Sequence, residues 1–251
     1  MKPRVGLFVT CLVDLMRPSV GFAAAKLIEA SGCDVAVPAG QTCCGQPAFN
    51  SGDKADARAL ALATMGACDG CDYVVAPSGS CAAMMKLHYP QLMAGDESAQ
   101  ARARAFALTV YELSSFLVTV RRMTAVPGRF DGRVAYHDAC HLAHAQKIRS
   151  QPRKLLEMIP GLELVALEES EICCGAAGTY NLTEPEMAER LAVRKHQNIE
   201  ATGAQAVFTA NAGCLLQIGR KIREAGLPIW VAHPVDPLDL SYRRQPLPRE
   251  G

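Results

Sequence analysis

Eight of the eleven cysteines fall into two matching sets, and their thiols are the groups in this sequence best placed to do chemistry. Cys43-Cys44-Gly45 recurs 130 residues later as Cys173-Cys174-Gly175. Cys11 precedes the first pair by 31 intervening residues and Cys81 follows it by 36, while Cys140 precedes the second pair by 32 and Cys214 follows it by 39. Thiolates are soft, anionic ligands, so four of them converging on one point suit an iron–sulfur cluster, with zinc as the alternative. Adjacent cysteines diverge along an extended backbone, which serves a cluster of several metal atoms better than one compact ion. The glycine after each pair permits a positive φ and a close approach of the backbone to a bulky inorganic core.

Four cysteines so far apart in the chain meet only if the scaffold brings them together. Short β-forming runs end just before Cys11, Cys81, Cys140 and Cys214, and helical patterns separate them. In the first half, strands at Arg4 to Thr10, Asp34 to Pro38 and Asp72 to Ala76 alternate with helices at Val20 to Ala30 and Asp53 to Ala67, with Asp53 as cap. In the second, strands at Arg133 to Ala139, Glu163 to Leu167, Ala206 to Ala210 and Ile229 to Ala232 alternate with helices at Pro152 to Ile159, Pro185 to Thr202 and Leu215 to Ala225. The pattern predicts an α/β protein of two similar parallel-sheet halves with helices packed on the sheets. Residues 1–123 form the first repeat, 124–132 a linker marked by Pro127, Gly128 and Gly132, and 133–251 the second repeat. The segment 82–123 reads as mostly helical. Loops at the carboxyl ends of parallel strands converge along one edge of a sheet, the usual place for a ligand.

The other candidates carry less. His137, His141 and His144 surround Cys140, and His137 and His141 are expected to support the second site as a ligand or proton relay. His233, after the last strand, is a weaker candidate for the same neighbourhood. Cys68-Asp-Gly-Cys71 has metal or redox spacing, but it falls at a helix end away from the strand-end cysteines, and it reads with Cys33 as packing. Gly175-Ala-Ala-Gly178 lacks the spacing of a phosphate loop and reads as a turn around the site.

Composition narrows the setting. A net charge of +1 and 49% hydrophobic residues supply a core and give no electrostatic reason to expect nucleic acid or an anionic membrane as partner. Charges or prolines interrupt every apolar run, so no transmembrane segment is expected, and membrane association would be peripheral, through partners. The run Val5 to Val13 is followed by Asp14 and Arg17 and reads as a buried strand instead of an export signal. An odd cysteine count with a large core points to reduced thiols and a cytoplasmic location.

The motifs Gly40-Gln-Thr-Cys-Cys-Gly-Gln-Pro-Ala, His137-Asp-Ala-Cys-His-Leu-Ala-His, Cys173-Cys-Gly-Ala-Ala-Gly-Thr-Tyr-Asn-Leu and Asn211-Ala-Gly-Cys resemble the Cys-Cys-Gly cysteine-rich family of iron–sulfur proteins. That family includes subunits of heterodisulfide reductase, of lactate utilization and of glycolate oxidase. The first half looks most like the lactate-utilization branch and the second is closer to glycolate oxidase.

The resemblance implies that Cys11, Cys43, Cys44, Cys81, Cys140, Cys173, Cys174 and Cys214 hold one or two [4Fe–4S] clusters. It further implies electron transport within an oxidoreductase complex that oxidises L-lactate or glycolate, alongside another iron–sulfur or flavin protein. The heterodisulfide reductase pattern has a further cysteine where this chain has Ser78 and Asn211, which makes disulfide reduction the alternative and leaves these two as supporting residues. The sequence shows no flavin or nicotinamide fingerprint and no substrate-activating base, so no catalytic residue is assigned and chemistry on the acid is expected in the partners.

Overall fold

A computed structural model describes residues 1–176 and 179–243. The chain forms two compact units, Met1–Leu117 and Val118–Gly251. In the first, strands β1 (Arg4–Leu7), β2 (Asp34–Ala36), β3 (Tyr73–Ala76) and β4 (Val110–Glu112) form a parallel sheet in the order β2-β1-β3-β4. In the second, β5 (Gly132–Tyr136), β6 (Leu162–Val165), β7 (Ala206–Phe208) and β8 (Trp230–Ala232) repeat it as β6-β5-β7-β8. These are the two similar α/β halves expected.

In each sheet the chain steps from the first strand to one neighbour and then crosses back to the other side. The first and third strands therefore flank a point where the winding reverses, and ligands of open α/β sheets bind outside the carboxyl ends there. Central strands of such sheets are covered on both faces and read as apolar runs. Val74, Val75 and Ala76 of β3 and all three residues of β7 are buried accordingly.

Helices α1 (Cys11–Met16) and α2 (Pro18–Ala30) join β1 to β2. Next, α3 (Lys54–Ala67) leads to β3 and α4 (Gly79–Ala83) follows it. Asp53 caps α3 as expected, its carboxylate accepting from the Asp56 N–H at 3.0 Å, and Ala57, Ala61, Thr64 and Met65 form the buried stripe. In the second unit α5 (Ser150–Glu157) precedes β6, α6 (Pro185–Ala201) precedes β7 and α7 (Ala212–Glu224) follows it. Pro185 opens α6 where its missing N–H costs nothing.

Strand β4 is the element the sequence conceals. Three residues long and placed against the Ala/Arg-rich helix Glu97–Thr109, it offers no alternation to detect, and it lies within a segment 82–123 that is otherwise mostly helical, as expected. Among the described residues, no helix is long and apolar enough to cross a membrane.

Candidate metal centres

Each unit gathers its own four cysteines at the carboxyl edge of its sheet. In the first, Cys11 follows β1 as the opening residue of α1, and Cys81 lies in α4 beyond β3. Cys43 and Cys44 sit in the loop beyond β2. The thiols touch in sequence, Cys11 to Cys43, Cys43 to Cys44 and Cys44 to Cys81. The second unit repeats the chain of contacts as Cys140, Cys173, Cys174 and Cys214. In both, the outer two (Cys11 and Cys43, Cys140 and Cys173) are half-buried and the inner two are buried. All eleven cysteines are free thiols.

Four thiols in contact cannot all ionise beside one another, and each set resolves this by alternation. Cys43 is held far below its ordinary value by hydrogen bonds from Cys11 and Cys44, and Cys81 is lowered by a bond from Cys44. Cys11 and Cys44 are pushed up, first by those same hydrogen bonds to Cys43 and then by burial or the next thiol. Cys173 and Cys214 are low and Cys140 and Cys174 high in the same way. A cationic metal would replace the shared protons and let all four ligate as thiolates. The donor set therefore fits a metal or iron–sulfur group.

Local structure fixes the cysteines. Thr10 takes a φ of +75°, costly for a β-branched residue, immediately before Cys11, and its hydroxyl accepts from Val13 N at 3.4 Å. The Gln41 side chain ties the first Cys-Cys loop to the end of β1, accepting from Val9 N at 2.7 Å and donating to Leu7 O and Pro38 O at 3.2 Å each. The Tyr89 hydroxyl, fully buried, donates to Cys44 O at 3.0 Å. A cavity of about 360 Å³ opens beside Cys11 and Cys43, lined also by Asp14, Leu15, Val37 and Gln41.

The two glycines take the expected positive φ, +85° at Gly45 and +86° at Gly175. A Cβ on Gly175 would lie 2.3 Å from Ala188 O of α6, and one on Gly45 3.3 Å from Ala57 O of α3, so the glycines also admit the helix backbone.

The supporting residues fall at the sites. Asn211 caps α7 and its amide Nδ2 donates to Cys214 Sγ at 3.3 Å. Ser78 precedes α4, and its hydroxyl, with that of Ser80, helps hold the Cys81 thiol low. His137 is fully buried, and its ring, Cys174 Sγ and Cys214 Sγ lie within 4.8 Å of one another. Neither ring nitrogen of His137 has a nitrogen or oxygen partner, and the ring helps lower the Cys214 thiol. His141 stands at the edge, its Nδ1 3.6 Å from Cys140 Sγ. His144 turns away to Glu171 O at 3.1 Å, and His233 Nδ1 accepts from Val235 N at 3.2 Å.

Cys68 and Cys71 flank the amino end of β3, on the sheet edge opposite the site. Burial pushes Cys68 up to about 12, and Cys71 packs against Gly6 of β1, where a Cβ would meet its sulfur at 2.9 Å. Cys33 is buried just before β2. Of the stretch Gly175 to Gly178, residues 177 and 178 lie outside the described residues.

One participant escaped the sequence reading altogether. Lys195 lies on the buried face of α6, 2% exposed, its ammonium donating to Glu169 O and facing Cys174 and Cys214. A lysine at the third position of the stripe Ala188, Ala192, Lys195, Ile199 was the available signal.

Two parallel sheets, each collecting four cysteines at a winding reversal, define a duplicated cysteine-rich α/β class. The chain belongs to the cysteine-rich domain family, whose model matches residues 5–86 and 134–219. It is similar to Lactate utilization protein A of Geobacillus thermodenitrificans, 43% identical over 92% of this chain and 96% of that one. The protein of the same name from Shouchella clausii is 42% identical over 91% of this chain and 95% of its own. A crystal structure of a hypothetical protein from Helicobacter pylori shares the fold, with a TM-score of 0.61 and 12% identity over 95% of this chain, which spans 49% of that one.

Proposed function

We propose that the chain is an iron–sulfur electron-transfer subunit of a 2-hydroxy-acid-oxidising system, with L-lactate as its first substrate and glycolate next. The observation that carries this is the doubled set of four touching thiols, each with a buried inner pair and a half-buried outer pair. Cys11, Cys43, Cys44 and Cys81 are the ligands of one site and Cys140, Cys173, Cys174 and Cys214 those of the other. The bound group, a [4Fe–4S] cluster at each, supplies one-electron redox chemistry.

The chain's own residues ligate, bury and hydrogen-bond. Ser78 and Asn211 donate to the last sulfur of each set, drawing charge from it. The half-buried outer thiols bring each site toward the surface of its unit, where a flavin or second iron–sulfur partner of the complex can exchange electrons with it. The names carried by the relatives support lactate as the acid. A cytoplasmic location, peripheral to the membrane through partners, is part of the same reading.

The compact trio of His137, Cys174 and Cys214 supports a second reading, one structural zinc ion at the second site of a scaffold protein. Anaerobic purification followed by iron, acid-labile sulfide and zinc analysis separates the two. About four irons and four sulfides per site are expected; zinc with no labile sulfide overturns the electron-transfer reading. Bleaching of the cluster absorption by L-lactate, once the partner subunits are added, tests the substrate.

A further inference from the structure

The two sites share their thiols but differ in what surrounds them. Strand register and the cysteine contacts align the units residue by residue. Phe8 N donates to Val75 O just as His137 N donates to Phe208 O, both at 2.9 Å, so buried Phe8 holds in the first unit the place of His137 in the second. The glycine contacts align Ala57 of α3 with Ala188 of α6, and seven residues further along these helices Thr64 stands where Lys195 does. At these matched positions the first unit offers a phenyl ring and a hydroxyl, and the second an imidazole and an ammonium.

The ammonium is not neutralised by the acids beside it. Asp138 is held by a two-pronged bond from Arg153 at 2.6 and 2.7 Å, and the Glu169 side chain is paired with Arg194. Burial lowers the Lys195 ammonium from its ordinary value, while Cys174, Glu169 and Cys214 act to keep it protonated; it is turned toward Cys174 and Cys214, whereas the matching position near Cys44 is occupied by Thr64 beside the neutral Tyr89 hydroxyl. Positive charge and hydrogen bonds to sulfur favour the reduced, more negative state of a thiolate-bound cluster, and imidazole ligation acts in the same direction. Burial strengthens the effect, since little water screens it.

We infer that the two sites are redox-inequivalent, the second, with His137 and Lys195, holding the more easily reduced cluster. This rests on the iron–sulfur reading above. His137 and Lys195 act here as positioning residues that set a potential.

The test is a redox titration of the anaerobically reconstituted full chain, followed by electron paramagnetic resonance. Two midpoints are expected, the higher one lost in Cys173→Ser and the lower one in Cys43→Ser. Lys195→Thr and His137→Phe, which import the residues of the first unit, each shift the higher midpoint down by about tenfold in the one-electron equilibrium, about 59 mV, and leave the lower one in place. Lys195→Arg, keeping the charge, retains the wild-type value. If His137→Phe does not load, Lys195→Gln supplies the same comparison. Coincident or reversed midpoints, loading of one site only, or variants that move both signals or neither, overturn the inference while the iron–sulfur reading stands. Zinc with no labile sulfide overturns both.

Discussion

A hydrogen bond to a ligating sulfur is a small lever with a readable output. Asn211→Leu removes the amide that donates to Cys214 Sγ, and Ser78→Ala removes a hydroxyl beside Cys81. Each variant is expected to keep its cluster and lower the potential of its own site only, measured by the same titration. Gln41→Ala is a different kind of change. It cuts three hydrogen bonds that hold the first Cys-Cys loop against β1, so faster cluster loss from the first site on exposure to a chelator is expected, with the second site unaffected. The eight cysteines, Ser78, Asn211 and His137 were legible because their spacing repeats or interrupts a repeat. Gln41, Tyr89 and Lys195 were not, since their roles come from which backbone or sulfur the fold sets beside them, and a single polar residue in a chain of 251 carries no mark of that.

The helices that close over the glycine turns decide whether the cysteine loops form. Gly175→Ala forces a Cβ to within 2.3 Å of a helix carbonyl and imposes a left-handed φ on a residue with a side chain. A loss on the order of 3 kcal/mol or more is expected in denaturant unfolding of the second unit. Gly45→Ala, whose nearest contact is 3.3 Å, is expected to cost distinctly less. Most elements could be placed from sequence because a strand buried on both faces, followed by a capped amphipathic helix, leaves a strong pattern. Two features left none. Strand β4 is too short to show a period, and the first helical turns of α4 and α7 enclose Cys81 and Cys214 instead of starting after them. Both depend on tertiary closure of the sheet edge.

The whole molecule should feel pH through a group remote from the proposed redox chemistry. Glu112, fully buried at the end of β4, is pushed up by burial to about 7 from an ordinary 4.5, despite hydrogen bonds from Ser114 and Ser115. A carboxyl raised in the folded state contributes its stability fully below about pH 4.5 and loses it as pH climbs through about 7. The loss amounts to about 3 kcal/mol. Glu112→Gln is expected to flatten that slope in melts taken between pH 5 and 8. Removing the metal should act more broadly, because ligands drawn from three loops tie each sheet edge together; chelation is expected to lower the melting temperature. The arrangement of the thiols also determines how the protein ages in air once a cluster is gone. Cys43 and Cys173 are at once half-buried and held as thiolates, the combination that oxidants attack first, and each touches a second thiol, Cys11 or Cys140, able to close a disulfide on the resulting sulfenic acid. Peptide mapping after peroxide treatment should find Cys11–Cys43 and Cys140–Cys173 crosslinks before any involving Cys44 or Cys174. Those crosslinks would bar the metal's return until a reductant opened them, giving the empty protein a reversible, locked form instead of irreversible decay.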